Sequence, residues 1–166
     1  MGEAKVGEQF IKHEFDEAIA IQQGIVDAET ELSKAHPVTT AKSTIKTALA
    51  ADEKYLKQLK TLGKPHGATG EVEDVAEGLT ELMTSTLEKA TTEGNDSDFY
   101  EAHAVLLNLK RKQWDSAGGM LAIARDQKDS KLVDAAREFQ AAQQETSTAL
   151  TKELAGYAVQ IAGAKS

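Results

Sequence analysis

Asp52-Glu53-Lys54-Tyr55 falls where a helical bundle would carry a metal-binding Glu-x-x-His pair, but the histidine is missing. Ile45, Leu49, Asp52, Leu56 and Leu59 alternate at four- and three-residue steps, which sets Asp52 on the buried seam of its helix. An acid on that seam needs a partner, a metal or a proton, because an unpaired buried charge costs several kcal/mol.

Polar residues interrupt the apolar seams of three other helices at a similar level. Gln22 and Glu29 fall in the series Ile11, Phe15, Ala18, Gln22, Ile25, Glu29, Leu32. Gln113 lies midway between Leu106 and Met120, and Thr146 continues the series Leu132, Phe139 with Gln143 and Ser147 alongside. Tyr55 stands one turn after Asp52. Two chemistries suit such a level. One is a hydrogen-bonded layer of Gln22, Asp52, Tyr55, Gln113 and Thr146 that fixes helix register, as single polar seam residues do in coiled coils. The other is an ion held by Glu29, Asp52 and His103, with iron or manganese as the cation. Carboxylate-bridged metals want several acidic or imidazole groups, whereas amides and hydroxyls are poor ligands, so the hydrogen-bonded layer is the expected state and no cofactor is expected.

The histidines form no ligand set of their own. None follows a glutamate at three residues' distance. His36 and His66 adjoin prolines and read as loop residues. His13 has Asp16 and Glu17 within helical reach and reads as a surface residue. His103 lies one turn before Leu106 and Leu107, at the margin of the core. Gly118-Gly119 lies within a helical pattern, so it is no phosphate cradle, and no Gly-x-Ser-x-Gly elbow exists. No catalytic residue is assigned.

The elements that would position these groups are helical throughout. Apolar spacing and breakers predict helices over about 6–35, 40–62, 71–90, 98–125 and 130–161. His36-Pro37 closes the first helix, with Thr39 or Thr40 as N-cap of the second and Gly63 as its C-terminal stop. Lys64–Gly70 reads as a loop and Gly94–Asp98 as a capping turn. Gly118-Gly119 would permit a kink or a close helix approach. Val72, Val75, Leu79, Leu82, Met83 and Leu87 form the expected apolar face of the third helix. The fold class is therefore all-α, an antiparallel four-helix bundle with an additional shorter helix, in one domain over 1–166.

Composition narrows the partners. The 166 residues hold 19 Lys and Arg against 27 Asp and Glu, a formal charge of −8, which disfavours nucleic acid. Lys110-Arg111-Lys112 is the one basic run and reads as a solvated helix face. Without cysteine there is no disulfide, thiolate metal site or cysteine nucleophile. No apolar run reaches the roughly 18 residues of a membrane span, and no apolar signal segment follows the N-terminus, so no membrane association and a cytoplasmic location are expected.

On these residues the chain resembles the ferritin-like superfamily and, within it, the small bacterial YciF-like proteins. The likeness lies in helix order and in three stretches: Val26-Asp27-Ala28-Glu29 to Ala35-His36-Pro37, Ala51–Leu56 to Leu62-Gly63, and Glu145–Leu154. The family pattern implies two Glu-x-x-His pairs and two further glutamates. Asp52 with Tyr55 and Gln144 with Ser147 stand at the paired positions. Gln22 or Glu29, and a residue near Gln113, stand at the single ones, so nearly every expected ligand is replaced. The resemblance implies a stress-related, non-enzymatic protein and a homodimer, with the third helix and Trp114 as interface material. The competing expectations are a metal-binding or oxidoreductase protein with a reduced site, and a helical module for a small hydrophobic ligand or a protein partner.

Overall fold

The computed structural model describes residues 2–164, with side chains from residue 5 onward, and all regular structure in that span is helical. Four long helices, α1 (Gly2–Ala35), α2 (Thr39–Gly63), α4 (Asp96–Asp126) and α5 (Ser130–Ala162), surround the core, and α3 (Asp74–Glu93) packs outside them against α1 and α4. The α1–α2 and α4–α5 connections are short and make antiparallel hairpins. Gln113 meets Ala18 while His103 meets His36, so α4 runs antiparallel to α1 as well. The two hairpins are joined by one long crossover whose helix is α3.

The sequence dictates most of these boundaries. Pro37 breaks α1, and Asn95 caps α4 by accepting the Asp98 amide at 3.0 Å. Asp129 caps α5 through the Leu132 amide at 3.1 Å. Some expectations fail. The N-cap of α2 is Val38, with no side-chain cap, because Thr39 is already helical. Gly63 is the last residue of α2 at φ −78° and not a left-handed stop. The chain continues into a 3₁₀ turn (Lys64–His66), and Gly67 takes the left-handed position. Gly63 is small for a different reason, since a Cβ there would lie 3.0 Å from the Phe15 ring.

Helix α3 begins at Asp74, not near Glu71. The Asp16 carboxylate on α1 accepts the Thr69 and Gly70 amides at 2.7 and 2.9 Å and holds the preceding segment against α1. Gly70, at φ +85°, sits where any Cβ would be 2.7 Å from Ile19. Of the apolar face expected on α3, Met83 is buried with Ala76 and Ala90, whereas Val75 and Leu82 point outward. Gly118-Gly119 neither breaks α4 nor marks a close approach.

The core is in two apolar parts. One gathers Ile25, Leu32, Ile45, Phe99, Leu106 and Leu150; the other gathers Phe15, Tyr55, Leu59, Met120, Leu132 and Phe139. A belt of buried polar side chains from all four long helices lies between them.

Candidate functional site

The centre of that belt is an ion cluster that the sequence reading did not anticipate. Lys110 on α4 is 1% exposed, and its Nζ donates to Glu29 Oε2 at 3.0 Å and to Asp52 Oδ2 at 2.8 Å. Placing Lys110 on a solvated face is thus corrected for this residue, while its neighbours Arg111 and Lys112 do pair near the surface, with Asp115 and Glu17. His103, Leu106, Lys110, Gln113, Ala117, Met120 and Ala124 follow each other at three- and four-residue steps, so Lys110 occupies a core position of the α4 seam.

Amides complete the cluster. Asp52 Oδ1 accepts from Gln22 Nε2 at 3.1 Å and from Gln143 Nε2 at 2.6 Å. Gln22 Nε2 also reaches the Asp52 carbonyl at 3.0 Å. Gln22 Oε1 accepts from Gln113 Nε2 at 3.1 Å, and the same nitrogen donates to the Ala18 carbonyl at 2.8 Å. Ser147 Oγ donates to Gln143 Oε1 at 3.1 Å. Glu29 Oε1 has no hydrogen-bond partner among the described residues.

The electrostatics follow from burial. Removal from water pushes the Glu29 carboxyl well above the usual range; Lys110 opposes this, and the nearby Asp52 adds to it. Burial pulls the Lys110 ammonium down, but the two acids outweigh it and its pKa is raised. The Lys110 ammonium thus faces both acids inside the core, where opposite charge offsets part of the cost of burial.

Of the layer expected from sequence, Gln22, Asp52 and Gln113 are brought together as hydrogen-bonded partners. Tyr55 and Thr146 are not in it. Tyr55 stacks on Phe139 with ring centroids 4.0 Å apart, inside the second apolar part. Thr146 turns its hydroxyl back to the Ala142 carbonyl at 3.0 Å, as helical threonines do. Gln143 and Lys110 take their places.

The trio Glu29, Asp52 and His103 is divided. Glu29 and Asp52 meet at Lys110, two turns along α4 from His103. Val38 N–H donates to His36 Nδ1 at 3.0 Å, so the His36 proton is on Nε2 and is given to His103 Nδ1 at 3.0 Å. His103 Nε2–H then donates to the Leu150 carbonyl at 2.9 Å. Both rings are neutral and all four ring nitrogens are used. Burial, reinforced by His103, lowers His36 to about 4, and burial lowers His103 against the pull of the Leu150 carbonyl. His36 lies in the connection between α1 and α2, the loop its proline neighbour marks, and its ring is buried between His103 and Tyr157. His66 stacks on Phe15, and His13 faces Glu17 at the surface.

The donors do not fit the iron or manganese pair that the family resemblance implies. Lys110 stands between the only two carboxyls of the cluster, and the remaining groups are amides and a hydroxyl. Among the described residues no group of three or more His, Asp or Glu is placed to share an ion. No helix among them is long and apolar enough to cross a membrane.

No protein-family model, curated protein or solved structure matches the chain. Fold and site together define an all-α bundle whose four long helices converge on an internal ammonium–carboxyl cluster.

Proposed function

We propose that this chain is a ferritin-like bundle in which a lysine has replaced the dinuclear metal centre, and that it acts as a non-enzymatic structural protein. The observation that carries this is the Lys110 ammonium, which binds Glu29 of α1 and Asp52 of α2 from α4. A positive charge there does mechanically what a bridging cation does, because it holds carboxyls from different helices at one level. Two antiparallel hairpins joined by a single long crossover are the connectivity of ferritin-like bundles. The stress-related role follows from the YciF-like resemblance. Homodimer formation is supported by Val75 and Leu82, which α3 leaves exposed at 64% and 49%.

The test is metal uptake. Protein equilibrated with Fe(II) or Mn(II) and then freed of excess metal is expected to retain far less than one ion per chain. Lys110→Ala leaves Glu29 and Asp52 facing a cavity and is expected to retain more. Stoichiometric metal in the wild-type chain overturns the reading.

A further inference from the structure

Asp52 presents its two oxygens to very different neighbours. Oδ1 takes two amide donors, Gln22 at 3.1 Å and Gln143 at 2.6 Å, while Oδ2 lies 2.8 Å from an amine. A second acid, Glu29, lies 3.0 Å from that amine, and its other oxygen has no hydrogen-bond partner among the described residues. Nucleophile, acyl carbon, oxyanion donors and proton carrier thus share one water-poor space. We propose that Lys110 and Asp52 condense into an isopeptide bond between Nζ and Cγ that ties α4 to α2, with Glu29 as proton relay.

The step balances without a co-reactant. Transfer of one proton from Nζ to Asp52 turns the ion pair into an amine and a carboxylic acid, and burial, which penalises both charges, narrows the gap between these states. The Nζ lone pair attacks Cγ, and the carbonyl electron pair moves onto Oδ1. There the Gln22 and Gln143 amides already point, as donors of an oxyanion hole do. Nζ then gives a proton to Glu29 Oε2, and Glu29 returns one to Oδ2, which leaves as water. One C–N bond forms, one C–O bond breaks, and nothing is oxidised or reduced.

Three features favour completion. Reactants fixed by four packed helices react with effective molarities that reach about 10⁵–10⁸ M in well-oriented systems. The product keeps Gln22 and Gln143 as donors to the amide oxygen and gives Glu29 the amide N–H to accept, while a buried ion pair disappears. A cleft of about 420 Å³ between α4 and α5, lined by Lys110, Gln143 and Ser147 together with Arg111 and Trp114, adjoins the cluster and can take up the water released.

Intact-mass measurement of the full chain under denaturing conditions is the experiment. Wild-type protein is expected to be lighter than its sequence by one water molecule, and proteolysis is expected to release a branched peptide joining the Asp52 and Lys110 segments. Asp52→Ala, Lys110→Met and Glu29→Gln are each expected to show full mass. Folded wild-type protein at full mass, or a mass loss with Asp52 and Lys110 in separate linear peptides, overturns the proposal. Such a chain without metal would still support the lost-metal-centre reading, so the two fail separately.

Discussion

Lys110→Met tests the ion cluster most directly. Methionine has nearly the length and volume of the lysine stem, so the packing of α4 against α1, α2 and α5 changes little. What is lost is the ammonium that compensates Asp52. Removing one member of a buried ion pair leaves the other uncompensated, at a cost of about 3–5 kcal/mol. Asp52 retains its Gln22 and Gln143 donors at Oδ1, which keeps the expected loss towards the lower end of that range. The double variant Lys110→Met, Asp52→Asn removes the stranded charge as well. An asparagine amide oxygen can still accept from Gln22 and Gln143, so the double variant is expected to be about 2–3 kcal/mol more stable than the single one. Urea titrations followed by circular dichroism supply both differences, with equal m-values as the check that the denatured states match. Neither variant can form the isopeptide, so their difference is blind to whether the wild type is cross-linked. A double variant no more stable than Lys110→Met would refute the charge argument.

Four further outcomes follow from the geometry. His36 has its pKa lowered from 6.5 to about 4, so the unfolded chain binds more protons in that window; stability is full above pH 6.5 and falls by about 3 kcal/mol as pH drops to 4. His36→Asn, whose side-chain oxygen can accept the Val38 amide as Nδ1 does, should remove that slope, which stability measured across this window will report. Glu29 has the opposite sign, since its raised pKa gives stability present below its unfolded value and lost as pH rises. Glu29→Gln, neutral at every pH, should therefore be more stable than the unlinked wild-type ion cluster at pH 7, by a margin that shrinks towards pH 4.5. Gly63→Ala would set a Cβ 3.0 Å from the buried Phe15 ring and 3.1 Å from Ala68, at a cost of about 1–3 kcal/mol in melting experiments. Gly119→Ala, with nothing within 4 Å of the new Cβ, should instead stabilise α4 by about 0.5–1 kcal/mol.

Much of the architecture is legible in the sequence, because apolar periodicity and breakers are local. Pro37, Gly94-Asn95 and Asp129 mark helix ends through chemistry that acts within four residues. Asp52, Gln22 and Gln113 are legible as buried polar residues for the same reason, each interrupting an apolar seam. What the spacing could not report is where a side chain turns once buried. Thr146 has a carbonyl of its own helix within reach and takes it, whereas Tyr55 finds a ring. The start of α3 was illegible because it depends on Asp16 capturing amides more than fifty residues away.

Lys110 was hidden by its neighbours. In the run Lys110-Arg111-Lys112 the charges read as one solvated patch, although successive helical residues point about 100° apart and cannot share an environment. Lys110 stands four residues from Leu106 and three from Gln113, the spacing that marked Asp52 on α2. A single charge on a seam is a puzzle that invites a metal; two opposite charges on facing seams are a pair. Glu29 and Asp52 on two hairpin-linked helices already present two acids to one level, and a basic residue on a third helix is the simplest way for a bundle to bury both. A buried ion pair contributes less to stability than apolar residues of the same volume would. Its value here is register, because Lys110 reaches both acids only when α1, α2 and α4 are aligned to within a fraction of a turn.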